Sequence, residues 1–493
     1  MRAFLSLVGV VAASTASQET CDVAIAGGGP GGIYFAWRLL TAGVQKSICM
    51  YERSDRFGGR IFSLRKQGPK QDLVVDLGAY RYAPEPYQEG DWYIYTPLLG
   101  GLIDKALKLP SMPYEPGNVK STVRKIVDSD GQNAGYATFV EAMHAELITK
   151  YSHLFSLQLN EELVSLSPMR PGSSGAAGGN ITLSFASGLS ATAAQVLLNL
   201  PQLPLLKVLD KSEGLFGPSG MPPALQVPTP LDGAKLYVYY ENAWWINLLN
   251  LTSGEFGPDI HNTTTRPLGQ LPELSGRYHD GHTRCDGPSG GFARCRGYLE
   301  ATYTYGMGAR FFLNHEPRTE PPYTELHDTT PTGRFALELV HKVLLRDHQA
   351  ALDALSAKMG KNMTAVVVGL KPKSALLSYW GPQTTGYGGA IHMTRPGTLM
   401  PEQDLAPSAM APFGDALPVY VANEAFGALR GAGGALGTHH GWAECSLVMA
   451  ENVLASKFGV PPPSWMSSSV YDQYVKFHTA PEERARRNGW HQG

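Results

Sequence analysis

Gly27, Gly29 and Gly32 form G-x-G-x-x-G inside "AGGGPGG", with Gly31 among them, and Glu52 follows twenty residues after Gly32. Glycines at this spacing let a backbone turn tightly and approach a pyrophosphate, and an acidic residue at this distance accepts from a ribose hydroxyl. Shortly after Glu52 and Arg53, past Ser54 and Asp55, comes "RFGGR", Arg56 to Arg60. Its Gly58 and Gly59 expose more backbone, and Arg60 is able to meet phosphate oxygens at two points. Further on, "DLGAYRYAP" sets Arg81 between Tyr80 and Tyr82, just after Gly78 and Ala79, with Asp76 and Glu85 close enough in sequence for a local ion pair.

These groups need elements to hold them. Residues 23–26 read as a short apolar strand, 33–42 carry helical apolar spacing, and 47–51 read as a second strand ending at Glu52. That order places a pyrophosphate at a helix N-terminus, where unpaired N–H groups wait. "LDGAKLYVYYENAWW" alternates as a strand, with Lys235, Tyr237 and Tyr239 on one face and Leu236, Val238 and Tyr240 on the other, before Trp244 and Trp245. A strand at 419–422 runs into Asn423 and Glu424, and a glycine-rich loop leads to a helix opening at about Gly441, with Trp442 and Ala443 at its start. Strands are also expected around 298–305 and 374–380. An amphipathic helix is expected within 320–360, with Phe335, Leu337, Val340 and Leu344 at helical spacing.

The chain has 493 residues, of which 43% are hydrophobic and 17% charged, enough for two or three globular domains. A formal net charge of −2 gives no electrostatic case for nucleic acid or an anionic membrane as partner. Arg2, a short apolar run and small residues up to Ala16 have the layout of a cleaved secretory signal, and the run is too short to span a bilayer. Sequons at Asn180, Asn250, Asn262 and Asn362 agree with export to the extracellular space or an endomembrane lumen. Cys285 and Cys295 bracket a Gly/Pro loop short enough for a disulfide to close. Cys49, in a strand-like run, and Cys445, in a helix, read as buried thiols, and no CxxC pair suggests a metal.

With the second glycine cluster after the acidic strand end, the sequence resembles the flavin amine oxidase family and, within it, the secreted L-amino acid oxidases. The resemblance runs in islands, at 21–82, 135–201, 231–245, 299–313, 376–391 and 418–455. It implies an α/β flavoprotein: a Rossmann-type FAD-binding domain assembled from 18–84, 135–201 and 415–458, and a mixed-sheet substrate-binding domain at 202–414. A leader at 1–17, a shortened helical segment at 85–134 and a tail at 459–493 complete the division. Gly27, Gly29, Gly31, Gly32, Glu52, Arg53, Gly58, Gly59, Arg60, Gly78, Ala79, Tyr80, Arg81, Val164, Glu424, Gly441, Trp442 and Ala443 then take cofactor positions. Lys235 resembles the family lysine that holds a water at the flavin, and Trp442 one wall of an aromatic cage. Tyr305, in "YGMG", and Ala390, after Gly388-Gly389, take substrate-contact positions. Arg81 matches the subfamily arginine that binds the substrate α-carboxylate, a group that requires such a partner when desolvated.

The implied activity is oxidation of an L-amino acid by O2 to a 2-oxo acid, ammonia and hydrogen peroxide, with noncovalent FAD and no metal. A homodimer stays open. Asn423 stands where the family has glycine, and Ala390 where it often has a larger aliphatic, which implies a roomier pocket. A polyamine or monoamine oxidase is the enzymatic alternative, with Glu85, Glu89 and Asp91 offered to a second ammonium group. A flavin-binding protein without turnover is the alternative of another class.

Overall fold

Strands apolar on both faces require cover on both sides, and "ICMYE", in Ile48–Glu52, is buried at every position. In the computed structural model, the described residues are 18–89, 92–115, 121–169, 180–216, 220–257, 274–286, 294–310, 312, 321–381, 387–394, 402–414, 417–427, 429–430 and 440–478. The leader, Asp91, Asn262, the glycine-rich run 431–439 and residues 479–493 lie outside them.

The first sheet has seven strands. Gln18–Ala26 runs parallel to Ser190–Leu198 on one side and to Ile48–Glu52 on the other. Phe155–Leu159 continues the parallel order beyond Ile48–Glu52, and Val419–Val421 pairs parallel with Ser190–Leu198. The hairpin Leu163–Pro168 and Ile181–Phe185 adds antiparallel strands at the edge. The sheet is therefore mixed and drawn from the start, middle and end of the chain. Helices Pro30–Thr41 and Ala443–Phe458 pack together against it. Between them Glu451, fully buried, accepts from Tyr34 Oη at 2.7 Å and pairs with Arg38 at 3.4 Å.

A second seven-stranded sheet is antiparallel in every pairing described. At its centre Gly233–Tyr240 lies between Arg294–Tyr305 and Ser374–Trp380. Its period-2 alternation is realised: Leu236, Val238 and Tyr240 join Trp244 and Trp245 in an apolar core, while Tyr237 and Tyr239 pack on the opposite face. Two helices, Pro331–Asp347 and Gln349–Met359, fill the region where one was expected, and a third, Met363–Val368, follows it. Leu337 and Leu344 face its core, but Phe335 is 71% exposed, because it lies only two positions from Leu337 and falls on the other side of the helix. The segment 85–134 is short, with two small hairpins and a helix at Pro97–Gly101 continued by a wider turn at Leu102–Ala106.

Cys285 and Cys295 are bridged across the hairpin that joins Thr283–Asp286 to Arg294–Tyr305. Cys49 is not the thiol expected from sequence. It is bridged to Cys21, because Gln18–Ala26 and Ile48–Glu52 are adjacent parallel strands and bring the two Cα atoms to 6.1 Å. Cys445 is a buried free thiol.

Candidate active site

A long cleft runs from the glycine turn of the first sheet to the central strand of the second. At one end the turn is defined by backbone crowding. Gly27 has φ +101°, and a Cβ on Gly32 would lie 2.3 Å from the Gly27 carbonyl oxygen. The following helix opens at Pro30 with Gly29 as N-cap and no side-chain cap, leaving its first N–H groups and its dipole to face the cleft. Glu52 lines the cleft with its carboxylate fixed, accepting from Gly28 N at 2.8 Å and from Ser54 N and Oγ, both at 2.9 Å. Arg53 lies over the Tyr387 ring, 5.4 Å from its centroid. Val164 lines the same end, with Glu161, Glu162, Lys207 and Lys211.

In the middle, Arg60 does something the sequence did not suggest. Its guanidinium pairs with Glu424 at 2.5 Å and donates to the Ala390 carbonyl at 3.2 Å. Glu424 also accepts from His392 N at 2.9 Å and contacts His392 Nδ1 at 3.0 Å. Burial alone would raise the Glu424 carboxyl, but Arg60 and His392 hold it well below the usual carboxylate range. The acid and the arginine therefore neutralise one another, and both line the cleft. Asn423, in the position where glycine was expected, accepts from Ala425 N at 3.0 Å and contacts Asn199 Oδ1 at 3.4 Å. Of the "RFGGR" pair, Arg56 is used locally, donating to Gly59 O at 2.7 Å and to Tyr387 Oη at 2.8 Å.

At the far end, Gly441 has φ +96° and its Cβ position is filled by Ile391, so the chain turns sharply into Trp442, the N-cap of Ala443–Phe458. One residue into that helix, Glu444 is buried and accepts from Leu98 N at 2.9 Å and Leu99 N at 2.7 Å. Burial pushes its carboxyl up to about 8 despite these two donors. It ties the short 85–134 segment to the helix that presents Trp442.

Lys235, Tyr303, Tyr305, Ala390, Gly78, Ala79 and Trp442 meet at this end. Gly233 pairs with Tyr305 in register, and only a glycine leaves room there, since a Cβ would lie 2.4 Å from that of Ala390. Tyr303 and Tyr305 touch through their hydroxyls. Lys235 is 2% exposed, donates to Gly78 O at 2.7 Å and Asp76 O at 3.3 Å, and lies 3.6 Å from the Tyr80 ring centroid and 4.8 Å from that of Tyr303. Burial lowers its ammonium to about 7, against the pull of Glu300 and Asp76.

Arg81 is held among aromatic rings. Its guanidinium carbon lies 5.1 Å from the Tyr114 centroid, 5.5 Å from Tyr80 and 5.8 Å from Trp442. It stands beside a cleft wall but, like Tyr80, is not itself among the lining residues. Trp244 and Trp245 are fully buried in the second core, away from the cleft. Glu85 is exposed and does not line it. Arg277, Asp280, Glu300 and His392 went unnoticed in the sequence, because isolated charged residues in strands and turns carry no spacing signal. Among the described residues no group of three or more His, Cys, Asp or Glu could hold a metal ion, and no helix is long and apolar enough to cross a membrane.

A family model for an NAD(P)-binding Rossmann-like domain matches residues 25–91. Tryptophan 2-monooxygenase of Pseudomonas savastanoi is 36% identical over 78 residues, which is 16% of this chain and 14% of that protein. An uncharacterized protein of Acanthamoeba polyphaga mimivirus is 31% identical over 112 residues, 22% of this chain and 20% of that one. The matches thus span a fifth or less of either relative. Solved structures of putrescine oxidase, one of them bound to putrescine, superpose over 90% of this chain and 100% of theirs, with a TM-score of 0.52 and 12–13% identity. The fold is that of a flavin amine oxidase. Within that fold, the glycine turn, Glu52 and the Trp442 helix N-terminus fall along one continuous cleft.

Proposed function

We propose that the chain is an FAD-dependent L-amino acid oxidase, converting an L-amino acid, O2 and water to a 2-oxo acid, ammonia and hydrogen peroxide. The observation that carries the reading is Arg81, set 5.8 Å from the Trp442 ring at the end of the cleft that also holds Lys235.

The cleft fits FAD on its own features. Gly27 and Gly32 form a cradle that a Cβ would fill, the Pro30–Thr41 N-terminus offers donors to phosphate, and Glu52 stands ready for a ribose hydroxyl. Gly59, Gly78, Ala79 and Val164 would line the cofactor's path, and the helix opening at Trp442 and Ala443 would offer it the positive end of its dipole. Bound FAD would supply the two-electron acceptor and the means of passing those electrons to O2. Among the described residues no cysteine lines the cleft, which favours noncovalent binding.

This chain's side chains supply the rest. Arg81 gives the α-carboxylate a planar two-point partner, without which its burial costs several kcal/mol. Trp442, Tyr303 and Tyr305 wall the substrate position and exclude water from it. Lys235, half neutral near pH 7, takes a proton at Nζ from the incoming α-ammonium, directly or through a held water, and so leaves the neutral amine that oxidation requires. Ala390 leaves room for a large side chain. The disulfides and the exposed sequons at Asn250 and Asn362 support export through an oxidising compartment.

A second reading, oxidation of a simple amine or polyamine, is favoured by one observation: Arg81 stands beside the cleft without lining it. Anaerobic titration of the yellow protein with L-amino acids, D-amino acids and polyamines separates the readings. Bleaching by L-amino acids, with peroxide on admission of air, is the expected result. Bleaching by amines alone sinks the first reading, and no bleaching by any of them leaves a flavin-binding protein without turnover.

A further inference from the structure

Near Lys235 the fold buries two acids that do not line the cleft. Glu300 stands opposite Tyr237 in strand register and is fully buried. Asp280 has 1% of its side chain exposed. None of their four carboxylate oxygens makes a well-formed hydrogen bond among the described residues. Arg277 is 3.8 Å from Asp280 but is engaged at 2.6 Å by Glu255 and donates to Tyr80 Oη at 2.8 Å, and the charge of Arg81 also acts on Asp280.

The two carboxyl groups interact with each other, and beyond that, among the described residues, Asp280 meets only the Tyr80 hydroxyl and Glu300 only that of Tyr237. Two dry carboxylates so weakly supplied with donors cannot both stay ionised. Each unpaired charge costs several kcal/mol, and like charges add to the penalty. One shared proton removes one charge and places an O–H donor between the two acids. We propose that Asp280 and Glu300 share a single proton, and that the negative charge left on the pair sets the pH at which Lys235 Nζ takes up its own. They are positioning residues that act through Lys235, and the proposal rests on the role given to Lys235 above.

The other groups facing the lysine are fixed. Asp76 accepts from Asn133 at 3.1 Å, Tyr136 N at 2.9 Å and Ser63 Oγ at 2.5 Å. Tyr80, Tyr237 and Tyr303 are held neutral by burial, while Arg277 and Arg81 keep their charge and oppose protonation of the lysine. His279, beside Asp280, is held neutral to about 3 by burial. The carboxyl pair is therefore the charge that substitution can remove without disturbing those partners.

Two readouts test this on the full-length holoenzyme. Infrared spectra at neutral pH should show a protonated carboxyl stretch that is lost in both Asp280→Asn and Glu300→Gln, since the acid left alone then ionises. In the pH profile of kcat/KM, Asp280→Asn should keep the wild-type midpoint, because Glu300 still carries the charge. The double variant should move the Lys235-dependent limb to lower pH by about one unit or more, roughly a tenfold change in the lysine's proton affinity. Carboxyl intensity unchanged in either single variant overturns the shared proton, as does a double variant with the wild-type midpoint. Should the double variant fail to fold, the infrared result on the single variants decides. Lys235→Met separates the two levels: its loss of turnover together with unmoved carboxyl variants leaves the proposed function standing and the pair purely structural, whereas retained turnover overturns the role of Lys235 itself.

Discussion

At the Gly27 end of the cleft, the groups that would face a ligand centre on the backbone of the glycine turn and the Glu52 carboxylate, all supplied within residues 27–52, with Glu161, Glu162, Lys207 and Lys211 lining the same end. At the Lys235 end they are side chains drawn from four distant segments: Gly78 and Ala79, Lys235, Tyr303 and Tyr305, and Trp442, with Arg81 beside them. The first end is carried by a turn, where glycine is required by space. The second is a nearly dry cluster in which Lys235, Arg277, Asp280 and Glu300 each depend on the others for a tolerable charge state. A turn's local geometry suffices to build the glycine cradle, whereas gathering Lys235 with Arg277, Asp280 and Glu300 requires long-range packing.

Five substitutions test this contrast. The largest effect is expected for Lys235→Met, which should lower turnover by ~10³-fold, about 4 kcal/mol of barrier, while flavin content stays normal. Steady-state kinetics alongside the flavin absorbance of the purified variant checks both halves. Next, Gly32→Val should act at the other end only. Its side chain has no room at 2.3 Å from the Gly27 carbonyl, so the protein should purify without flavin or fail to fold. Third, Cys21→Ser opens a bridge spanning 28 residues and should lower unfolding free energy by about 3 kcal/mol in denaturant melts. Cys285→Ser, whose bridge spans only 10, should cost less.

The smallest effect is a pH dependence. His282 is neutral in the fold, its Nδ1 accepting from Val74 N at 2.7 Å, and burial lowers its proton affinity to about 4. The unfolded chain binds that proton near pH 6.5, so the stabilisation is complete above about 6.5 and is lost progressively as pH falls toward 4. His282→Gln, which keeps an acceptor, should flatten the stability profile in that window by on the order of 2 kcal/mol.

The legibility of the sequence followed the same division. The strand, glycine turn, helix, strand and acid at 23–52 could be read because they are contiguous and each has a local reason. The alternation that puts Lys235, Tyr237 and Tyr239 on one face was legible too. The Cys21–Cys49 bridge was not, since nothing joins the two until their strands are placed side by side. Nor was the Arg60–Glu424 pair, whose members are 364 positions apart. Asp280 and Glu300 look like ordinary turn and strand acids until burial removes their water.

The central claim, that Arg81 makes this an amino acid oxidase, is tested most directly with a matched pair of substrates: an L-amino acid and the amine left when its carboxylate is removed. Rates of anaerobic flavin reduction by both would be measured in the wild type and in Arg81→Met. The account predicts that the wild type prefers the amino acid and that the variant loses this preference by roughly 10- to 100-fold, the worth of a charge-assisted pair. A wild type that favours the amine, or a variant that keeps the preference, would contradict it.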